Sequence, residues 1–253
     1  MAWTKRFAGA APERVNKWLA QSGVCSRREA EALIGQGLVS IDGARVGDPG
    51  HKIMPGQTLT LADGAGEQLR SAVTIVLNKP VGYVSAAPQR GEVPAARLVT
   101  AKSLVGKADV IPKTTTKLAP LGRLDQDSRG LLLLSEDGAL AKAVIGPESE
   151  VDKEYLVRVR GRVTEPKLAL LREGLTLDHR RLKRALVERL PDGRLRFVLT
   201  EGMKRQIRRM CEAVELHVED LLRVRIGAVE LGDLPEGKWR PLTPEERAAL
   251  MRR

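Results

Sequence analysis

The chain has 253 residues, 42% of them hydrophobic, which suffices for one large domain or for a small and a large one. Lysine and arginine number 43 against 32 acidic residues, a formal charge of +11 that points to a polyanionic partner. There is no run of about 18 apolar residues to span a bilayer, no signal peptide among the polar first residues, and no single helix gathering the basic residues, so nucleic acid is favoured over a membrane.

Residues 1–13 are mostly small or polar and read as a flexible arm. A helix is expected from Arg14, with Val15, Trp18 and Leu19 on one face and Gly23 as its end. Ser26-Arg-Arg-Glu29 is a capping box opening a second helix, whose stripe is Ala30, Leu33 and Ile34 and whose stop is Gly37. Val39 and Ile41 alternate with polar neighbours before the hairpin signal Asp42-Gly43, and Thr58–Leu61 alternates again. Residues 14–62 thus form a small unit studded with Lys17, Arg27, Arg28 and Arg45, and residues 63–72 read as a flexible linker.

The larger part, 73–253, starts with a buried strand at Val73–Leu77 that runs into Asn78-Lys-Pro-Val-Gly82. From the residues alone, Lys79 there stands in a turn shaped by Pro80 and Gly82. Ser85–Pro120 has weak periodicity, with one short helix near Ala95–Val99. In Leu121-Gly-Arg-Leu-Asp-Gln-Asp-Ser-Arg-Gly-Leu-Leu-Leu-Leu134, a carboxylate, Asp125, sits beside the guanidinium of Arg123 and before a leucine run that suits a buried strand. Asp125 is a candidate nucleophile or base, or else an ordinary turn aspartate.

A helix is expected over Ala139–Ile145 and an alternating strand over Lys153–Arg160, with Tyr155, Val157 and Val159 on one side. A helix at Glu165–Leu171 precedes the basic run Arg180–Arg184, and two strands flank Pro191-Asp-Gly193. Gly202–Cys211 reads as a basic helix with Ile207, Met210 and Cys211 inward. Strands at Leu221–Ile226 and Gly237–Leu242 and a short terminal helix from Pro244 complete the chain. Helices and strands mix without a βαβ beat, so the fold class is α+β with a mostly antiparallel mixed sheet. Cys25 and Cys211 lack CxxC partners, and His51, His179 and His217 lack metal-ligand spacing. No disulfide and no metal site are expected, and the two thiols suit a reducing cytoplasm. No phosphate-binding glycine loop suggests a nucleotide cofactor.

Gly122-Arg-Leu-Asp125 with Ser128 and Gly130-Leu131 resembles the signature loop of RNA pseudouridine synthases of the RsuA family. Asn78–Gly82, Lys153-Glu-Tyr155 and Arg205-Gln-Ile-Arg-Arg-Met210 extend that resemblance over most of the chain. Gly23–Ala30 with Gly37–Gly43 resembles the αL-type RNA-binding domain of the ribosomal protein S4 family. The resemblance implies an isomerase that needs no cofactor and converts a uridine of ribosomal RNA to pseudouridine. Ser26–Ala30 and Arg205–Glu212 look RluF-like, implying a large-subunit (23S) uridine.

In that family Asp125 would be the nucleophile, Tyr155 would stack on the flipped base and assist proton removal, and Arg208 would pair with Asp125. Arg123 would fill the space of the flipped base and Leu199 would line the pocket. Arg205, Lys79, Arg27, Arg28 and Lys17 would contact RNA. From the residues alone, Tyr155 is equally a core tyrosine, and Arg205, Arg208 and Arg209 a phosphate-binding helix face. Two departures from the family pattern are Lys204 and the absence of a glycine-rich turn in Leu175–Arg184. The alternatives are a non-catalytic RNA-binding or ribosome-assembly factor and a small-subunit enzyme of the same family. Transfer RNA or an assembly intermediate remains open as a partner, and a monomer is expected.

Overall fold

A computed structural model of the protein describes residues 3–70 and 72–252. The chain divides into two compact units, one running to Val73 and including Ser135–Lys142, the other holding Thr74–Leu134 and the residues from Ala143 onward.

In the small unit, the helix Val15–Gln21 buries Val15, Trp18 and Leu19, the positions that one helical face requires. The helix Arg27–Gly35 starts at Ser26, whose hydroxyl accepts from the Glu29 amide at 3.2 Å while the Glu29 carboxylate accepts from the Ser26 amide. A four-stranded sheet follows the order Trp3–Arg6, Thr58–Leu61, Val39–Ile41, Ala44–Arg45. Asp42 (φ 48°) and Gly43 (φ 85°) make its tight turn, both left-handed as that hairpin type requires.

Two expectations fail here. Residues 3–7 are not a loose arm. Trp3–Arg6 pairs antiparallel with Thr58–Leu61, and Phe7 is buried with its ring 5.4 Å from that of Trp18. The aromatic side chains tie down what composition alone assigned to solvent. Asp63–Arg70 is a helix rather than a linker: Ala65 is buried in the core of the small unit and Leu69, four residues on, packs against the same core.

The large unit is built on one sheet in the order Leu186–Arg189, Leu195–Leu199, Lys153–Arg160, His217–Ile226, Arg129–Ser135, Thr74–Lys79, Trp239–Pro241. Its registered pairs are antiparallel except where Arg129 and Gly130 run parallel to Leu222 and Arg223. The architecture is therefore α+β with a mixed, mainly antiparallel sheet. Leu131 to Leu134 are fully buried, each contributing about 2 kcal/mol of apolar burial. A strand covered on both faces carries such an unbroken apolar run. Pro241 is accepted because its strand lies at the sheet edge. The helix expected from Gly202 begins only at Gln206, because Arg205 turns left-handed (φ 54°) immediately before it.

Gly130 (φ 103°) faces Arg223 so closely that an added Cβ would stand 2.3 Å from the Arg223 carbonyl oxygen. Gly130→Ala is expected to lower the unfolding free energy in urea by about 3 kcal/mol, through backbone strain and displacement of the neighbouring strand.

Candidate active site

The stretch Leu121–Ser128 enters the leucine strand as a loop in which every carbonyl from Gly122 to Asp127 accepts a hydrogen bond. Arg223 donates to Gly122 (3.1 Å) and Arg123 (3.4 Å). The Ser85 hydroxyl donates to the Leu124 carbonyl at 2.7 Å and accepts from the Leu124 amide at 2.9 Å. The Ser128 amide closes a turn onto Asp125 (3.1 Å), the Gly82 amide reaches Gln126 (2.8 Å), and Arg208 reaches Asp127 (2.7 Å). This satisfies backbone groups that a loop at a pocket wall would otherwise leave unpaired.

Asp125, Arg123, Tyr155, Leu199, Arg205 and Arg208 all line one pocket of about 800 Å³. Asp125 keeps 37% of its side chain exposed, so its carboxylate is open to a ligand. Tyr155 comes from the strand Lys153–Arg160, where a bulge between Glu154 and Tyr155 breaks the register with His217–Ile226. Bulges re-aim side chains beside active sites.

The expected pairing of Arg208 with Asp125 does not form. Arg208 is buried, its guanidinium lies 3.3 Å from the Asp127 carboxylate, and it donates to the Asp127 and Val218 carbonyls. These two backbone acceptors, one for each terminal nitrogen, hold it at Asp127, two residues past the expected partner. The guanidinium nearest Asp125 is that of Arg205, at 3.9 Å, and it also lies 3.1 Å from Asp127. Arg205 does this from a left-handed backbone that non-glycine residues rarely adopt.

Lys79 does not line the pocket. It is fully buried, and its ammonium donates to the Pro80 (2.9 Å) and Tyr83 (2.8 Å) carbonyls. Burial pulls it down to about 8, against the opposing pull of the Asp125 and Asp127 carboxylates. Lys153, on the pocket wall, is pulled down to about 8 by burial and by nearby Arg223. Lys17, Arg27 and Arg28 belong to the small unit. The two arginines are exposed on their helix, while Lys17 is ion-paired with Glu13, which precedes its own helix.

The basic run Arg180–Arg184 is part of a hairpin, Thr176–Leu177 with Arg180–Arg181. Its turn uses no glycine: Asp178 (φ 49°) and His179 (φ 61°) are both left-handed, and Arg209 grips the Asp178 carboxylate with two bonds of 2.6 and 2.8 Å. The little-exposed carboxylate of Glu201 accepts from Arg180, from the Lys183 amide and from Gln206, which brings Arg180 and Lys183 to the pocket rim.

Sequence reasoning missed Ser85, Asp127, Lys153, Glu201 and Arg223 as site residues. A signal existed for Arg223 alone: alternation over Leu221–Ile226 puts an arginine on the same side as buried Leu221. Among the described residues, no group of three or more His, Cys, Asp or Glu could hold a metal ion, and no helix is long and apolar enough to cross a membrane. Both cysteines are free and buried, and burial pushes each thiol up to about 12.

An open carboxylate on a pinned loop, in a pocket that a tyrosine and several arginines also line, suits an enzyme acting on an extruded nucleoside of a nucleic acid. The RNA pseudouridylate synthase family matches residues 73–213 and the S4 domain matches residues 13–59. The chain is similar to the dual-specificity RNA pseudouridine synthase RluF of Escherichia coli K12, at 34% identity over 244 residues, covering 94% of this chain and 78% of that protein. An uncharacterized RNA pseudouridine synthase of Mycobacterium bovis is 38% identical over 243 residues, covering 94% and 92%. A crystal structure of a pseudouridylate synthase superposes with a TM-score of 0.65 at 27% identity, over 95% of this chain and all of that one. The chain belongs to the RNA pseudouridine synthase family, with an S4 domain ahead of the catalytic one. It is an RNA isomerase, which sets aside the non-catalytic alternative.

The burial of Lys79 has a pH signature. Below pH 8 the lysine is protonated in both folded and unfolded states, and the native state bears the whole penalty of a buried charge. Between about 8 and its ordinary 10.5 the unfolded chain holds more protons than the native one, so rising pH favours folding. The difference in urea-unfolding free energy between wild type and Lys79→Met is expected to move toward wild type from pH 7 to pH 10.

Proposed function

We propose that the pocket receives a single uridine turned out of ribosomal RNA, with a large-subunit (23S) position as the target, and that Asp125 is the nucleophile. The isomerisation breaks the bond from uracil N1 to the ribose anomeric carbon and joins that carbon to C5. The C5 proton leaves and N1 gains one, so the product has the atoms of the substrate. Asp125 attacks the anomeric carbon or the pyrimidine ring, and its carboxylate is released when the new carbon–carbon bond is complete. Tyr155 provides the flat surface on which the detached uracil turns, and assists removal of the C5 proton. Arg123 occupies the place in the stack that the base has left, and Leu199 forms the apolar wall. Arg205 draws the acid toward the pocket and contacts the RNA backbone, while Arg208 fixes the loop through Asp127. Arg27, Arg28 and Lys17 bind structured RNA through phosphates, and Lys79 backs the loop from the interior rather than meeting the substrate. The protein works as a monomer in the cytoplasm.

The single observation that carries this reading is the presence of Asp125, Tyr155, Arg123, Arg205 and Arg208 in the lining of one pocket. Similarity to RluF, whose name records dual specificity, supports testing transfer RNA beside ribosomal RNA.

Asp125→Asn is expected to reduce pseudouridine formation by about a thousandfold or more, with RNA affinity unchanged within about twofold. Turnover retained in this variant would overturn the nucleophile assignment. Pseudouridine mapping in RNA from cells lacking the protein is expected to show one missing position in 23S RNA. A missing small-subunit position would overturn the large-subunit target.

A further inference from the structure

We propose that Arg223 is a positioning residue that holds the loop of Asp125 and the ring of Tyr155 in one fixed relation. It is 1% exposed, and its guanidinium donates only to backbone carbonyls: Leu131 at 2.7 Å through Nε, Gly122 at 3.1 Å and Arg123 at 3.4 Å through the two terminal nitrogens. No carboxylate pairs with it within 4 Å among the described residues. A buried guanidinium without an acid is expensive, and what it returns is the pairing of three main-chain acceptors at once. Those acceptors lie on the loop and on the strand that follows it, so the arginine fixes their relative geometry as well as satisfying them.

The strand His217–Ile226 lies between the strand that carries Tyr155 and the strand that follows the loop. Arg223 is the register partner of Tyr155 on one side and of Gly130 on the other. Its guanidinium carbon lies 6.0 Å from the centre of the Tyr155 ring, within the range of a cation–π contact. From there it reaches forward to the two carbonyls that precede Leu124 and Asp125. The missing side chain at Gly130 lets the strands approach closely enough for this span. One planar fork thus sets the plane of the tyrosine and the height of the loop. Lysine, with one nitrogen on a flexible stem, cannot reproduce it.

The inference rests on the reading of Asp125 as nucleophile and Tyr155 as platform. It is tested with full-length Arg223→Lys and Arg223→Met in single-turnover reactions, using total RNA from cells lacking the protein. RNA affinity and thermal midpoint are measured in parallel, with Asp125→Asn as the control. Both Arg223 variants are expected to lose about 10- to 100-fold in rate while RNA affinity stays within about twofold and the midpoint falls by only about 5 °C or less. Combined with Tyr155→Ala, the loss is expected to fall short of the product of the single losses, since the residues act as a unit.

Wild-type rates in either Arg223 variant would overturn the proposal. So would rate losses matched by weaker RNA binding, a collapse of the thermal midpoint in both variants, or losses that multiply. An active Asp125→Asn would instead show that the underlying assignment of the nucleophile is at fault.

Discussion

Six consecutive carbonyls with six donors are the constraint on which the site depends. The donors are the Ser85 hydroxyl, the Gly82 amide, the loop's own Ser128 amide, and two buried arginines, one of which serves two carbonyls. Fixing a residue's backbone costs about 1–2 kcal/mol in conformational entropy. Here that ordering occurs as the large unit folds, so it need not be repeated when RNA binds. The carboxylate proposed as the nucleophile is thus positioned before substrate arrives, the condition under which such a group attacks effectively.

The charges near the loop follow from the same requirement. Lys79, Lys153 and Arg223 are buried with main-chain carbonyls as their hydrogen-bond partners, while the carboxylates of Asp125 and Asp127 remain partly exposed in front of them. Positive charge thus lies behind the loop as well as on its rim, where Arg205, Arg180 and Lys183 stand. A polyanion is drawn toward the acid, although the acid alone would repel it.

The parts of the protein legible in the sequence were those governed by near neighbours. The Ser26–Glu29 cap, the Asp42-Gly43 turn and the buried leucine run each depend on spacings of one to four residues. The pocket lining from Arg123, Asp125, Tyr155, Leu199, Arg205 and Arg208 came from resemblance rather than from periodicity. What stayed hidden was set by tertiary contacts. Trp3 and Phe7 order the N-terminal residues only because Trp18 lies beneath them. The late start of the helix at Gln206 follows from one left-handed residue. The partner of Arg208 is decided by carbonyls of Asp127 and Val218, distant in sequence, and the reach of Arg223 across three strands has no local trace beyond an arginine on a buried face.

A loop fastened at each peptide unit has little freedom to travel toward its target. The mobile participant in the encounter is then the nucleic acid, and the first energetic hurdle is unstacking of the nucleoside rather than any closing motion by the protein. Uridines in bulges, mismatches or hairpin tips, where that hurdle is lowest, become the preferred guests. Selectivity among RNAs would accordingly be written partly in how readily each one opens.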